Sequence, residues 1–231
     1  MTSRFTTAFS ALALLALAGC DTGSRIPGLG GSANNALLRI VNAGDVAIDL
    51  TSNGVAVGGS GHVAAGSSSS CLRIDPATTT LRLRVSGAPA DVGDFAPSLA
   101  PNGTYTVVVF TSDLGTTRTL TLSDDFTPTS GLAGFRIVDV APGLGTLDVY
   151  LTPPGEPLGI PSTASIGFGG NTGFFDVNPG TSEVRFTVAT TPTLVLDAGP
   201  ITLVPGQRST MVLAQPAGAG AAPVASVVPA C

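Results

Sequence analysis

Ten basic side chains, all arginine, stand against fifteen acidic ones in 231 residues, for a net charge of −5. A mildly acidic chain without basic clusters argues against nucleic acid or anionic headgroups as partners. Charged residues make up only 11 % of the chain, against about 25 % in typical domains, so Thr, Ser, Asn and Gly must supply most of the polar surface. The thirty glycines and eighteen prolines point to many turns. The length allows two modest domains of about 90–100 residues each.

The chain opens on a short basic start at Arg4, followed by an apolar run from Ala8 to Ala18 broken only by Ser10. That is the pattern of a secretory leader, and the run is too short for a spanning helix, which needs about 20 apolar residues. It closes in Leu17-Ala18-Gly19-Cys20, which resembles the lipobox of bacterial lipoproteins. The resemblance implies cleavage before Cys20, a thioether diacylglycerol on its sulfur and acylation of the new N-terminus. Two or more acyl chains anchor a protein stably where one holds it marginally. Residues 1–19 are therefore read as a lipoprotein signal peptide. Residues 20–35, rich in Gly and Ser and without periodicity, read as a flexible tether.

From residue 36 the pattern is β. Leu81, Leu83 and Val85 alternate with Arg82 and Arg84, as a half-buried strand requires. Tyr105 to Phe110 is more continuously apolar and reads as a central strand. Asn53-Gly54 lies between Ile48-Asp49-Leu50 and Val55-Ala56-Val57 and marks a type I′ hairpin turn, which needs positive φ at both central residues. Thr116 to Leu122 alternates again, and Val224 to Val228 reads as a last strand. Short strands at 8–12-residue spacing suggest antiparallel sandwiches.

The chain also resembles itself. Leu38-Arg39-Ile40-Val41-Asn42 aligns with Phe135-Arg136-Ile137-Val138-Asp139, Ile48-Asp49-Leu50 with Leu147-Asp148-Val149, and Leu81-Arg82-Leu83 with Val184-Arg185-Phe186. Such self-similarity marks a repeat, with copies at 36–128 and 133–231 joined through Asp124 to Gly131. The stretch Leu99-Ala100-Pro101-Asn102-Gly103-Thr104-Tyr105 resembles a tyrosine corner, in which a tyrosine hydroxyl bonds back to the preceding loop. Ser209 stands near the matching place of the second copy and cannot make that bond. The expected fold is all-β, with two tandem immunoglobulin-like or transthyretin-like antiparallel sandwiches.

Residues 36–230 resemble the tandem β-sandwich bacterial proteins of the family catalogued as domain of unknown function 4397. The family pattern is roughly Arg-Val-Val-His-Ala-Ser-Pro-Asp, a gap, then Val-Asp-Val-Tyr. Arg136-Ile137-Val138-Asp139-Val140-Ala141-Pro142 with Leu147-Asp148-Val149-Tyr150 fits best, and Arg39-Ile40-Val41 with Ile48-Asp49-Leu50 keeps part of it. The pattern's histidine is Asn42 in one copy and Asp139 in the other. The resemblance implies fold and export and no activity.

Residues that could carry chemistry are sparse. His62 is the one histidine, in a glycine-rich turn without a G-x-S-x-G elbow, and reads as an exposed loop residue. Zinc sites draw on several Cys and His, so none is expected. Asp124-Asp125 could close the join; no calcium-loop pattern surrounds them, and Asp91 and Asp94 read as solvated turn residues. Asp49 and Asp148 read as satisfied strand-end or edge carboxylates, with Arg39 and Arg136 across their hairpins as the candidate partners. Gly167 to Gly173 reads as a mobile hairpin tip, with Phe168, Phe174 and Phe175 around it assigned to core. With Cys20 taken by lipid, Cys71 and Cys231 either form a disulfide, which persists in an oxidising compartment, or remain two unpaired thiols; spacing does not separate these. A bridge would be worth up to about 5 kcal/mol on the chain-entropy view.

No catalytic, cofactor-binding or metal residue is assigned. The expected role is non-catalytic: a lipid-anchored protein of the cell envelope, outer membrane favoured over inner, either periplasmic or surface-exposed. It would present sandwich surfaces to a protein or envelope polymer. The rivals are a surface adhesin or matrix module contacting through loops such as 155–173, and a hydrolytic enzyme.

Overall fold

The computed structural model describes residues 34–57, 61–77, 80–92, 95–215 and 222–231. The expected leader 1–19, Cys20, nearly all of the expected 20–35 tether, Gly58 and Gly59, Asp94 and most of the loop after Gln215 lie outside the described residues.

The chain is all-β. Its first half contributes β1 (Ala36–Asn42), β2 (Ile48–Ser52), β3 (Val55–Ala56), β4 (His62–Val63), β5 (Leu72–Ile74), β6 (Leu81–Val85), β7 (Thr104–Thr111) and β8 (Thr117–Ser123). They form one sheet in the order β5-β1-β7-β8 and a second in which β2 pairs with β3, β4 and β6. The second half contributes β9 (Ala133–Asp139), β10 (Leu147–Thr152), β11 (Thr163–Ile166), β12 (Gly170–Asn171), β13 (Phe175–Val177), β14 (Gly180–Val188), β15 (Leu194–Leu203), β16 (Arg208–Ala214) and β17 (Val224–Pro229). Here the sheets run β12-β9-β16-β17, with β13 also on β9, and β11-β10-β14-β15. Most neighbours are antiparallel, but β1 pairs with β7 and β9 with β16 in parallel. Hairpin logic does not anticipate a parallel neighbour, because such a pair needs a long crossover connection.

Each half encloses its own core. Leu38, Ile40, Val107 and Val109 meet Ile48, Leu50, Leu81 and Leu83 in the first. Phe135, Ile137, Met211 and Leu213 meet Leu147, Val149, Val184 and Phe186 in the second. A third cluster joins the halves: Val41, Val108, Phe110 and Leu122 pack with Val138, Val140, Val212, Ala214 and Val228. The β1/β7 sheet and the β9/β16 sheet therefore lie face to face, and each is buried on both sides. This explains why β7 and β9 lack clean alternation. A strand covered on both faces reads as a near-continuous apolar run, and all seven residues of β9 are buried. By contrast β6, with one face to solvent, alternates buried leucines with half-exposed arginines.

Turn chemistry matches the sequence at Asn53 and Gly54, whose φ of 51° and 79° suit a type I′ turn. The Tyr105 hydroxyl accepts the Ala100 N–H at 2.8 Å, closing the corner before β7. Gly103 allows this approach, because a Cβ there would lie 2.7 Å from the Tyr105 ring and hydroxyl.

Candidate functional site

The seam between the two halves holds the most developed side-chain arrangement among the described residues. Arg136 projects from β9 into it and is 2 % exposed; Asp124, just after β8, is fully buried. Arg136 Nη2 donates to Asp124 Oδ1 at 2.6 Å and to Thr210 Oγ1 at 2.9 Å, and Nη1 donates to the Ser123 carbonyl at 2.8 Å. Thr106 Oγ1 donates to Asp124 Oδ2 at 2.7 Å, and Arg208 donates to the Asp124 carbonyl. The guanidinium also lies 4.3 Å from the Phe174 ring centroid, and Phe174 stacks on Phe126. Burial pushes the Arg136 pKa down from its ordinary value, and the charge and hydrogen bond of Asp124 oppose that shift. A buried ion pair survives desolvation only when its remaining donors and acceptors are satisfied. Here three strands and the inter-half join supply partners for both Nη atoms and both carboxylate oxygens, while Arg136 Nε has none among the described residues.

At another part of the seam a cleft of about 460 Å³ is lined by Val41, Ala43 and Asp45 from the first half and by Ala214, Val227 and Val228 from the second. Asn42, which also lines it, and Asp45 are already engaged. Asn42 donates to the Val46 and Val63 carbonyls and accepts from the Gly44 N–H, and Asp45 accepts from Thr111 Oγ1 at 2.9 Å. The cleft offers apolar surface without a nucleophile–base pair.

The carboxylates are placed differently from the sequence expectation. Asp49 does not pair with Arg39, nor Asp148 with Arg136. The strands of each presumed hairpin belong to different sheets, so β1 and β2, like β9 and β10, are not neighbours. Asp49 Oδ1 instead lies 2.6 Å from His62 Nδ1 on an exposed face, and that hydrogen bond holds the Asp49 carboxyl below its usual range. Asp148 accepts the Ser165 and Thr190 N–H groups. Arg39 donates to the Ser69 carbonyl. Asp91 pairs with Arg84 at 2.6 Å. His62 and Asp49 line neither the seam cleft nor the smaller hollow beside Pro229.

Asp139 occupies the place in the second half that Asn42 takes in the first. Its Oδ1 accepts the Ala141 N–H at 3.0 Å, as Asn42 Oδ1 accepts from two residues on. Its Oδ2 has no hydrogen-bond partner among the described residues. Burial pushes the Asp139 carboxyl up to about 6, against the pull of the Ala141 N–H.

The glycine-rich 167–173 stretch, expected as a mobile tip, is tied down: Gly170 and Asn171 form β12 against β9, and Gly169 donates to the Asp139 carbonyl. Its phenylalanines divide. Phe175 packs on Phe135, whereas Phe168 reaches across the seam to Phe110 and stays 39 % exposed. Cys71 and Cys231 form a disulfide with Cα atoms 5.8 Å apart, 160 residues apart in sequence. It ties the first half to the end of the second. Among the described residues no three His, Cys, Asp or Glu side chains gather closely enough to hold a metal ion, and no helix is long and apolar enough to cross a membrane.

Residues 36–150 match the family described as Domain of unknown function (DUF4397). The match takes in the first half together with β9 and β10, and so includes both Arg39 and Arg136. No curated protein matches the chain.

Sequence reading missed the Arg136–Asp124 pair. The available signal was an arginine inside a strand apolar on both faces: Ala133, Phe135 and Ile137 on one, Val138 and Val140 on the other. An arginine in such a strand needs a buried acceptor.

Proposed function

We propose that this chain is an exported, lipid-anchored envelope protein. Its two sandwiches, at 36–128 and 133–231, are copies of one unit and act as a single block. The block presents its outer surfaces to a protein or envelope polymer and catalyses no reaction. The observation that carries the reading is the seam. The buried polar network, in which Arg136 bonds Asp124 and Thr210 while Asp124 accepts from Thr106 and Arg208, holds the sandwiches together rather than converging on an open cleft. The repeat reading is supported by register: Arg39 lies opposite Thr106 in the first half as Arg136 lies opposite Thr210 in the second. Export is supported by the apolar leader ending in Leu17-Ala18-Gly19-Cys20 and by a disulfide, a bond that persists in oxidising compartments. The acylated Cys20 would hold the block at a membrane, with the outer membrane preferred, and the tether would set its reach.

The test combines intact-cell labelling with crosslinking. Cells bearing the full chain are treated with protease and with a membrane-impermeant crosslinker, and adducts are identified by mass. The proposal expects specific adducts to one envelope component, formed through solvent-facing residues of the outer sheets. Adducts to extracellular polymer on shaved, surface-exposed protein would favour the adhesin reading. A hydrolase activity abolished by His62→Ala would overturn the non-catalytic role.

A further inference from the structure

The disulfide is not symmetric in its surroundings. Cys71 is exposed and Cys231 half-exposed. Arg39, on β1, places Nη2 3.2 Å from the Cys71 sulfur and donates through Nη1 to the Ser69 carbonyl at 2.9 Å. Ser69 is itself fixed: its N–H donates to the Ile40 carbonyl, its hydroxyl accepts the Ile40 N–H, and that hydroxyl donates to the Ser70 carbonyl. The guanidinium is thus held beside one sulfur by a rigid neighbour before any chemistry occurs. On the other side, Cys231 lies two residues past the end of β17, next to Ala230, whose N–H donates to the Arg208 carbonyl. A hollow of about 230 Å³ lined by Gly206, Gln207, Arg208, Pro229 and Ala230 borders this stretch. The Arg208 guanidinium is engaged with the Asp124 carbonyl.

We propose that the Cys71–Cys231 disulfide is a thiol–disulfide exchange site with a built-in polarity: an incoming thiolate attacks Cys231, and Cys71 leaves as a thiolate stabilised by Arg39. The co-reactant is a dithiol of the kind carried by oxidoreductases of oxidising compartments. In the first step a bond forms between the incoming sulfur and Cys231 Sγ, and the Cys71–Cys231 bond breaks with its electron pair on Cys71. The second thiolate of the dithiol then displaces the Cys231 sulfur. The protein disulfide is reduced by two electrons, the dithiol is oxidised to its own disulfide, and its two protons end on Cys71 and Cys231. The direction follows from leaving-group strength: exchange is faster when the departing sulfur is the more stable thiolate, and a neighbouring cation stabilises a thiolate. Neither cysteine belongs to the third apolar cluster or to the Arg136–Asp124 pair, so opening the bond removes none of the seam's own contacts. The block would therefore stay assembled while Cys231 forms a mixed disulfide.

The test uses the folded chain with intact disulfide and reduced glutathione as the probe. After brief exposure the reaction is quenched in acid, free thiols are capped with N-ethylmaleimide, and peptides are mapped by mass. The expected result is glutathione on Cys231 and maleimide on Cys71, in about tenfold excess over the reverse. The bias should vanish in urea. Arg39→Gln should slow opening roughly 3- to 10-fold and erode the bias, while Arg39→Lys should keep most of both. Equal loading of the two cysteines in the folded wild type, or glutathione mainly on Cys71, would overturn the proposal. So would an unchanged bias in a folded Arg39→Gln variant. If Arg39→Gln does not fold, the comparison of native with urea-unfolded wild type still decides the matter.

Discussion

Replacing Asp139 with Asn should stabilise the protein at neutral pH and do little in mild acid. The carboxyl is fully buried, has one hydrogen bond and leaves Oδ2 without a partner. Burial raises its pKa from an ordinary 3.8 to about 6. Because the folded state holds this proton more tightly than the unfolded state, its contribution is fully present below pH 3.8 and is lost as pH rises through about 6. A shift of roughly two units corresponds to about 3 kcal/mol. At pH 7.5 the folded protein therefore carries a buried carboxylate at a cost of that order, and an amide removes it. The first half shows that the position accepts an amide, since Asn42 satisfies both its oxygen and its nitrogen there. Urea unfolding of wild type and Asp139→Asn at pH 4.5 and 7.5 measures this, and taking the difference between proteins cancels titration elsewhere. The variant should be about 2–3 kcal/mol more stable at pH 7.5 and within about 1 kcal/mol at pH 4.5, with unchanged denaturant slope. A variant less stable at pH 7.5, or a difference equal at both pH values, would refute the reasoning.

Asp124→Ala should cost about 3–5 kcal/mol, because it strands the buried Arg136 charge, whereas adding Arg136→Met should recover much of that loss; a thermal denaturation series reads both. Tyr105→Phe should cost about 0.5–1.5 kcal/mol, since the hydrogen bond from the Ala100 N–H to the Tyr105 hydroxyl is lost, as read by the urea midpoint. Gly54→Ala should cost roughly 1 kcal/mol, because the alanine must adopt positive φ in the β2–β3 turn; chemical denaturation at pH 7 checks it.

Local features were legible in the sequence. Alternation in Leu81 to Val85 revealed a half-buried strand, Asn53-Gly54 a primed turn, and Tyr105 after Asn102-Gly103 a corner bond, because each depends on residues close in the chain. The relations between sheets were not legible. Arg39 and Arg136 were expected to meet Asp49 and Asp148 on the assumption that consecutive strands pair. Those strands instead lie in opposite sheets, and each arginine turns away from its own core, toward Ser69 or toward Asp124. The pairing of Asp124 was not legible because the partners of its carboxylate, Thr106 and Arg136, come from different halves. Phe168 read as core, yet the seam uses it as a half-exposed bridge to Phe110. Asp139 could have been suspected from its match with Asn42 in the other copy of the repeat: a carboxylate in a position suited to an amide is a group with one oxygen too many.

Under the proposal, lipidation of Cys20 fixes where the block works. The most direct measurement is the intact mass and membrane fractionation of the full chain expressed in a bacterium that processes lipoproteins, beside a Cys20→Ala variant. The expected result is membrane-bound protein beginning at Cys20 and carrying the mass of a diacylglyceryl group and a further acyl chain, with the variant unmodified and released from the membrane. Wild-type protein of unmodified mass, fractionating as the variant does, would contradict it.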